Sequence, residues 1–518
     1  MINSPVISLK IPLKIHLLFA LLGVAGIGII LLATSNFGAG LTPDSIGYLS
    51  ATRSLLAGKG ILWYNGNPID FWPPLYPVII ALGNKILGMD FIASSRVINA
   101  LFFGIIIYLS GLLFQSLVMT PYLAILGTLY VLLANSLFSV SVMAWSEPTF
   151  ILCVLLFILS IDAYLEKENR TSFVILTLSA MLASLTRYIG VTLILSGIAS
   201  ILILGRSSWR NKLIFSSLFA SISAFPLGLW MLRNYRVGGT LAGYREPSQY
   251  TIFDHIHVTV EGIIRWFLPG RLVSFLRDHH LQVIMGIIFI TLLTILLISY
   301  RSKIRVYKIL PALFFTIIYL AFLIYTTTSI ALDPIDNRFL SPVFVPMVLL
   351  GLFLIEVLAY FVNEKVNISS QLMGKFITIV FATLLVLPLS QTIVNVNYWR
   401  TQGGKDYNSK IWRQSQTIAY LKQHPLSKED KTYSNDPYAL YLYTELIAQK
   451  VHEQIKLEDS HKLSNFKRAS SPAQKAYLIW FNDSHPGYFD IPDGFKSILN
   501  LSPVTQLDDG TIYILQEK

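Results

Sequence analysis

The sequence is poor in charged residues and in cysteine. Asp, Glu, Lys and Arg make up 13% of its 518 residues, whereas hydrophobic residues make up 54%. Because charged residues make up about a quarter of an ordinary soluble domain, this composition excludes that class. The one cysteine, Cys153, lies inside an apolar run. A single cysteine excludes an intrachain disulfide framework and a metal site built from several cysteines.

Long apolar runs are abundant and predict membrane-spanning helices. Mean hydropathy is +0.59, and many runs reach the roughly 20 residues that cross a bilayer core. The runs are continuously apolar, whereas strands of membrane barrels alternate apolar and polar residues. We therefore predict a polytopic α-helical membrane protein, whose first run is an uncleaved anchor. The eleven predicted spans are 12–34, 95–117, 120–142, 147–165, 172–188, 190–205, 212–231, 282–299, 309–326, 339–362 and 372–396.

The positive charge of the chain predicts its orientation in the membrane. The formal net charge is +11. The sequence has no basic face with interleaved aromatic residues, so we predict that nucleic acid is not a partner. With a cytoplasmic N-terminus, the inner segments hold 13 Lys and Arg in 58 residues and the outer loops hold 10 in 122. Because cytoplasmic loops are enriched in Lys and Arg, we predict this orientation for a plasma or inner membrane protein, with an extracytoplasmic C-terminus.

Two domains are predicted from a change in composition. Residues 1–396 form a transmembrane catalytic region, and residues 397–518 are polar, with 15 Lys and Arg against 14 Asp and Glu. Within the second region, KIWRQSQTIAYLKQH has helical spacing, whereas KTYSN, KAYLIWF and TIYIL are typical of short strands. We predict a small α/β extracytoplasmic domain there.

Acids and arginines recur at the predicted outer ends of the spans. Asp44 follows the first span in LTPDSIGYLSATRSLLAGKG, and Glu147 begins the fourth in MAWSEPTF. Arg187, Arg233 and Arg338 lie at other outer ends. Arginine binds phosphate through a two-pronged fork, and a nearby carboxylate can act as a general base. This set suits a phosphate-bearing lipid and a polar acceptor.

Each of these residues also has a structural interpretation. An aspartate after a helix is often a cap or a solvated loop residue. Glu147 precedes Pro148, as at a helix N-terminus, where carboxylates are favoured anyway. Arginines at the ends of spans also extend to lipid headgroups.

Histidines in the outer loop 232–281 raise the question of a metal. They are His255, His257, His279 and His280. Their spacing permits binding, but no carboxylate or cysteine pattern completes a site. We predict no metal ligands and no cofactor, and a requirement for a divalent cation stays open.

Five segments, in this order, resemble a known group of enzymes. They are DSIGYLSATRSLLAGKG, FWPPLYPVIIAL, WSEPTF, LTRYIG and DNRFLSP. Together they resemble the GT-C superfamily of integral-membrane glycosyltransferases, in the branch related to protein O-mannosyltransferases and lipid A aminoarabinose transferases (glycosyltransferase family 39-like). The resemblance covers most of 35–345, and 405–518 is similar to the C-terminal domain of bacterial members.

The resemblance implies a GT-C fold and a reaction. A sugar passes from a polyprenyl-phosphate donor to a hydroxyl of a lipid, glycan or protein acceptor at the extracytoplasmic face, with inversion. Asp44 matches the essential aspartate of the first outer loop and is the implied base, and Glu147 matches a second catalytic acid. Asp44-Ser45 replaces the Asp-Glu pair of many mannosyltransferases, so sugar and acceptor stay open. The implied substrate-binding residues are Tyr48, Arg53, Trp72, Tyr76, Arg187, Tyr188, Arg233 and Arg338.

Three other functions compete with a hexosyl- or pentosyltransferase. A transporter or flippase of lipid-linked sugars usually shows internal repeats and broken helices, which the sequence does not show. A polysaccharide polymerase or ligase shares the substrates and is not separated from a transferase by sequence. A scaffold that presents the C-terminal region would not need the acids and arginines.

Overall fold

The computed structural model of the chain forms two compact units. The first comprises Met1–Ala33 and Pro68–Asn397, and the second comprises Thr34–Asn67 and Tyr398–Lys518. The structure describes residues 12–278, 286, 291, 306–366, 370–404, 407–427, 429–451, 475–482, 491 and 499–517.

The first unit is helical. Within the described residues its helices are Leu13–Ala33, Leu75–Leu87, Phe91–Leu117, Pro121–Leu132, Asn135–Ser141, Glu147–Lys167, Arg170–Thr186, Val191–Leu204, Trp209–Gly238, Ile252–Phe267, Gly270–Asp278, Leu310–Ser329, Asn337–Val366 and Ser370–Gln402, the last of which continues into the second unit. Short 3₁₀ turns occupy Tyr188–Gly190 and Val306–Lys308.

Seven described helices are long and apolar enough to cross a membrane. They are Leu13–Ala33, Phe91–Leu117, Glu147–Lys167, Trp209–Gly238, Leu310–Ser329, Asn337–Ala359 and Gly374–Gln402. The pair Pro121–Leu132 and Asn135–Ser141, bent by 46°, would make an eighth as one broken span. These eight coincide with eight of the predicted spans, which confirms the polytopic helical architecture.

The other predicted spans have different outcomes. Those at 172–188 and 190–205 fall on the shorter apolar helices Arg170–Thr186 and Tyr188–Leu204, and the one at 282–299 lies outside the described residues. The apolar helix Leu75–Leu87 lies where the sequence predicted an outer loop.

Small residues allow two of the long helices to pack closely. A Cβ atom on Gly104 would lie 2.7 Å from the carbonyl oxygen of Gly23. Any side chain there would push Leu13–Ala33 away from Phe91–Leu117. Membrane helices commonly use small residues in this way, because close packing replaces a hydrophobic driving force within lipid.

The second unit contains a five-stranded sheet. Its strands are β1 Lys431–Ser434, β2 Gln449–Lys450, β3 Ala476–Phe481, β4 Leu499–Leu507 and β5 Gly510–Glu517, in the order β2-β1-β3-β5-β4. β1 runs parallel to β2 and β3, whereas β5 is antiparallel to β3 and β4. The helices of the unit are Pro43–Leu56, Lys410–Arg413, Gln416–Gln423 and Pro437–Thr444. The predicted α/β character of the C-terminal region is confirmed.

The segment Thr34–Asn67 is bonded to the C-terminal part of its unit. The backbone N–H of Tyr407 donates to the Leu41 carbonyl at 3.0 Å, and Asn408 donates to the Ala39 carbonyl at 3.0 Å. Arg413 donates to the Phe37 carbonyl at 2.6 Å. A segment that the sequence placed in a loop of the membrane region therefore folds with the sheet.

Candidate functional site

A buried carboxylate in the first unit holds two arginines. Glu147 is the first residue of helix Glu147–Lys167, and its side chain is 0% exposed. Nε of Arg338 donates to its Oε1 at 2.6 Å, and Nη1 of Arg187 donates to the same oxygen. The structure thus brings together three predicted site residues that are far apart in sequence; we call them the arginine pair and its glutamate.

A sharp break between two helices positions Arg187. It ends helix Arg170–Thr186 in an extended conformation, with φ −148° and ψ 139°. A Cβ on Gly190 would lie 2.4 Å from the backbone of Ala183, so this return of the chain requires glycine. The sequence LTRYIG therefore places the guanidinium beside the buried carboxylate.

The first turn of another helix positions Arg338. The carboxylate of Asp336 accepts a hydrogen bond from the Arg338 backbone N–H at 2.9 Å. The Arg338 guanidinium carbon lies 4.4 Å from the centre of the Trp145 ring, which is a cation–π contact. Burial raises the pKa of the Asp336 carboxyl above its ordinary value, although bonds from backbone N–H groups and the charge of Arg338 oppose this.

Two mostly buried guanidinium groups lie beside a small group of carboxylates, which includes Asp336 because its charge interacts with that of Arg338. The Arg187 and Arg338 side chains are 15% and 11% exposed and share one carboxylate. Asp333 lies 3.9 Å from Arg338, but it is 78% exposed and contributes little. Within the described part of the chain, Oε2 of Glu147 and Oγ1 of Thr149 are buried without a hydrogen-bond partner. Guanidinium groups are donors that bind phosphate groups through two parallel hydrogen bonds.

Tyr188 and Arg233 belong to a separate polar network. The Tyr188 hydroxyl donates to the Asp70 carbonyl at 2.8 Å, and Asn234 donates to that hydroxyl at 2.9 Å. Nη1 of Arg233 donates to the Ile69 carbonyl at 2.5 Å. These contacts fix the backbone just before the FWPPLYP segment. Sequence reasoning missed Asp70 and Asn234, because a single Asp or Asn in a loop has no distinctive spacing.

The two aromatic candidates of the FWPPLYP segment differ in exposure. Trp72 is partly exposed, and its ring lies 6.2 Å from that of Phe71. Tyr76 is 0% exposed, and its hydroxyl donates to Asn99 at 3.3 Å. The burial of Tyr76 favours a role in packing, whereas Trp72 has surface to offer a ligand.

Three candidates lie on one helix of the second unit. Asp44 is the second residue of Pro43–Leu56 and is partly buried, whereas Tyr48 is 2% exposed. Arg53 lies 3.4 Å from Glu445 in an exposed ion pair. Arg53 is nine residues beyond Asp44, so it lies on the opposite side of the helix.

Tyrosines surround this helix within the second unit. The ring of Tyr64 lies 4.9 Å from that of Tyr441 and 5.8 Å from that of Tyr438. The pKa of Tyr438 is raised, first by burial and then by the negative charges of Asp436 and Asp44. This places Asp44 in the electrostatic environment of the tyrosines. The sequence analysis missed this group, although the repeated tyrosines in DPYALYLY were a usable signal.

The described residues do not provide a metal-binding cluster. Within them, no three or more His, Cys, Asp or Glu side chains come together as ligands would. His279 and His280 lie outside the described residues.

Comparisons with known proteins show the fold. No protein-family model and no curated protein sequence matches the chain. Its structure is similar to ArnT from Cupriavidus metallidurans bound to undecaprenyl phosphate, with 13% identity, 95% of this chain and 97% of that chain covered, and a TM-score of 0.60. It is also similar to the archaeal oligosaccharyltransferase AglB from Archaeoglobus fulgidus, in complex with an inhibitory peptide and a dolichol-phosphate. The identity is 11%, the match covers 97% of this chain and 74% of that chain, and the TM-score is 0.52.

A third solved structure extends the likeness. The mycobacterial arabinofuranosyltransferase AftD is 12% identical over 96% of this chain and 41% of its own, with a TM-score of 0.51. At these identities the comparisons concern architecture. The chain has the GT-C fold, which confirms at the level of the fold the resemblance to the GT-C superfamily predicted from its motifs.

Proposed function

We propose that the chain is a membrane glycosyltransferase that moves a sugar from a polyprenyl-phosphate donor to an acceptor hydroxyl at the extracytoplasmic face, with inversion. The arginine pair and its glutamate are the observation that carries this proposal. Two solved structures of similar fold hold the lipids undecaprenyl phosphate and dolichol-phosphate. The acceptor is a lipid, glycan or protein, and the sugar is a hexose or a pentose.

The arginine pair is the proposed site of the donor phosphate. Arg187 and Arg338 are mostly buried and share the Glu147 carboxylate, so their charge is poorly screened by water. Preorganised donors in such a site stabilise charge that develops during a reaction. The phosphate gains charge as its bond to the sugar breaks, so both arginines bind the transition state more strongly than the donor.

Glu147 is a positioning residue in this proposal. Both guanidinium groups donate to its Oε1, and the carboxylate is fully buried. A carboxylate held in this way orients the two forks. We therefore assign Glu147 to the support of the phosphate site, whereas the sequence suggested a catalytic acid.

Asp44 is the proposed general base. It takes the proton of the acceptor hydroxyl while the acceptor oxygen bonds to the anomeric carbon. The bond from that carbon to the phosphate oxygen breaks, and the lipid phosphate leaves with the electron pair. Displacement from the opposite side inverts the anomeric centre. Asp44 is partly buried, at the second position of its helix.

The other predicted binding residues receive different proposed roles. Trp72 is proposed to stack on a sugar or acceptor, because part of its ring is exposed. Tyr188 and Arg233 are proposed to hold the backbone of 69–70. Tyr48 and Tyr76 are proposed to pack inside their units, since both are almost fully buried. The requirement for a divalent cation stays open: one AglB structure is a complex with Zn and sulfate, whereas the described residues of this chain contain no group of three or more His, Cys, Asp or Glu that could hold a metal.

Replacing Arg338 by Ala should weaken binding of undecaprenyl phosphate about 10- to 100-fold, because a hydrogen bond to a charged group contributes about 1.5–3 kcal/mol. Binding is measured on the purified protein in lipid nanodiscs. Arg338→Lys keeps the charge but loses the fork and should give a smaller loss. Arg265→Ala is the matched control, because Arg265 is 48% exposed and pairs with Glu261 on its own helix. Equal affinity in Arg338→Ala and the control would remove the phosphate from this site.

A reporter enzyme fused after Lys518 should be active on the extracytoplasmic side, because the distribution of Lys and Arg predicts a cytoplasmic N-terminus. The measurement uses a pair of reporters that are each active on one side of the membrane. The same pair fused within the loop before Trp209, at Ser207, should report the cytoplasm. The reverse result would invert the proposed topology and place the transfer reaction at the other face.

A further inference from the structure

Two buried polar atoms on one helix have no assigned role in the proposed reaction. Nε2 of His255 and Oγ1 of Thr259 have no hydrogen-bond partner among the described residues. His255 is 7% exposed and Thr259 is 3% exposed. Both lie on helix Ile252–Phe267, four residues apart, so their side chains lie next to each other on one face. A buried polar atom that lacks a partner is costly and needs an explanation.

The orientation of the Thr259 hydroxyl is unusual for a threonine in this protein. A buried threonine inside a helix normally bonds to the carbonyl four residues earlier. Thr316 donates to Ala312 at 2.8 Å and Thr327 donates to Leu323 at 2.9 Å in this way. Thr259 makes no such bond, although the same acceptor lies within its helix. Its hydroxyl is therefore available to a ligand, together with the imidazole one turn away.

The helix is capped at its start and bonded to a neighbouring helix at its end. At its start, the Thr251 hydroxyl and the Asp254 carboxylate cap each other's backbone N–H groups, at 3.3 and 2.8 Å. At its end, the Trp266 indole donates to Asn337 at 3.0 Å. A Cβ on Gly262 would lie 2.5 Å from Leu340, so the helix rests directly on another helix there.

This contact joins the helix to the proposed phosphate site within the first unit. Asn337 and Leu340 flank Arg338 in the first turn of Asn337–Val366. Thr259 and His255 precede Gly262 by three and seven residues, which is about 4.5 and 10 Å along a helix. The two polar atoms therefore belong to the element that is packed against the turn carrying Arg338.

The chemistry of the pair fits hydroxyl groups. A neutral imidazole has one donor and one acceptor, and a threonine hydroxyl can donate and accept. Sugar hydroxyls also do both, whereas a phosphate diester oxygen only accepts, and the arginine pair already serves it. The Tyr250 ring meets the His255 ring edge to face, with centres 5.9 Å apart, and is 63% exposed. An aromatic ring beside hydroxyl-binding groups suits the apolar face of a sugar.

We propose that His255 and Thr259 bind hydroxyl groups of the sugar on the polyprenyl-phosphate donor and thereby select which sugar is transferred. This inference rests on the proposed function, because it assumes a phosphate-linked sugar beside Arg338. It assigns to His255 a ligand that is neither a metal nor the phosphate.

The test compares binding of sugar-free and sugar-bearing lipids to the full-length protein in nanodiscs. The probes are undecaprenyl phosphate and its mannosyl, glucosyl and arabinosyl esters. Wild type should bind at least one ester more tightly than undecaprenyl phosphate. His255→Ala and Thr259→Val should each weaken that ester about 3- to 10-fold, the loss of one ordinary hydrogen bond, and leave undecaprenyl phosphate unchanged. Thr259→Ser keeps the hydroxyl and should bind like wild type.

A matched control and the contrary outcomes complete the test. His257→Ala removes a partly exposed histidine two residues away, on the other side of the helix, and should have no effect. A wild-type protein that prefers no ester, or a His255→Ala variant that binds the preferred ester normally, overturns the sugar assignment. Equal weakening of undecaprenyl phosphate by His255→Ala also overturns it, in favour of a phosphate contact. If wild type binds none of the four lipids, the proposed function itself fails.

Discussion

Replacing Asp44 by Asn should lower sugar transfer about 10²- to 10⁴-fold, the usual contribution of a general base, while the protein still folds and inserts. The substitution keeps the shape of the side chain and removes its ability to take a proton. Asp44 is partly buried at the second position of its helix. Loss of its favourable interaction with the helix N-terminus costs about 0.3–1 kcal/mol, too little to unfold the protein.

The measurement is a mass profile of glycans and glycolipids from cells that lack the gene. Cells complemented with wild type should regain a hexose- or pentose-sized mass, and cells with Asp44→Asn should not. Membrane content and elution of the purified variant report folding. Asp508→Asn is the control, because Asp508 lies exposed in the same unit and bonds to Gln416. If Asp44→Asn restores the full profile, Asp44 is a structural residue.

Replacing Glu147 by Ala should destabilise the protein by about 3–5 kcal/mol, because removing one partner of a buried ion pair leaves an uncompensated charge. Here two guanidinium groups, 15% and 11% exposed, would lose the carboxylate they share. The free energy of unfolding is measured by titrating SDS into mixed micelles. The effect is larger than that of most single substitutions, which cost about 0.5–3 kcal/mol.

An exposed ion pair supplies the control for Glu147. Arg53 and Glu445 are 55% and 66% exposed, and an exposed pair contributes about 0–1 kcal/mol. Glu445→Ala should therefore change the unfolding free energy little. If both variants lose the same small amount, Glu147 is not the buried support of the arginines, and the role proposed for it fails.

Periodicity and composition were sufficient to predict eight of the membrane spans and three of the five strands. The break at LTRYIG was predicted because Arg-Tyr and Gly interrupt an apolar pattern, and the structure places a 3₁₀ turn there. KTYSN, KAYLIWF and TIYIL were predicted as strands from their β-branched and aromatic residues, and each contributes to the sheet. These features depend on neighbouring residues, so a local pattern reveals them.

The helix Pro43–Leu56 was missed, although its start had a signal. Thr42 precedes Pro43, and the Thr42 backbone N–H donates to the Ser45 hydroxyl at 3.1 Å. A threonine followed by proline at the first helical position is a common helix start. The segment was taken as a loop because its hydrophobic content is modest beside that of the spans, which dominated the interpretation.

The partners of the candidate residues could not be predicted from the sequence. Arg187 and Arg338 lie 40 and 191 residues after Glu147, and they meet one carboxylate oxygen. Such contacts leave no periodic trace, because they depend on how helices pack. Sequence motifs pointed to acids and arginines at span ends, but only the packing shows that Arg233 joins a different network.

The hydrogen bonds between Thr34–Asn67 and the C-terminal part of its unit limit which segments of the chain can be exchanged separately. Asp44 sits on a segment whose backbone is held by Tyr407, Asn408 and Arg413. A graft that exchanges residues 398–517 alone would separate these anchors from the segment they hold. Residues 34–67 and the C-terminal region therefore have to be exchanged together: a chimera with another protein of this fold has to take both segments from the same parent.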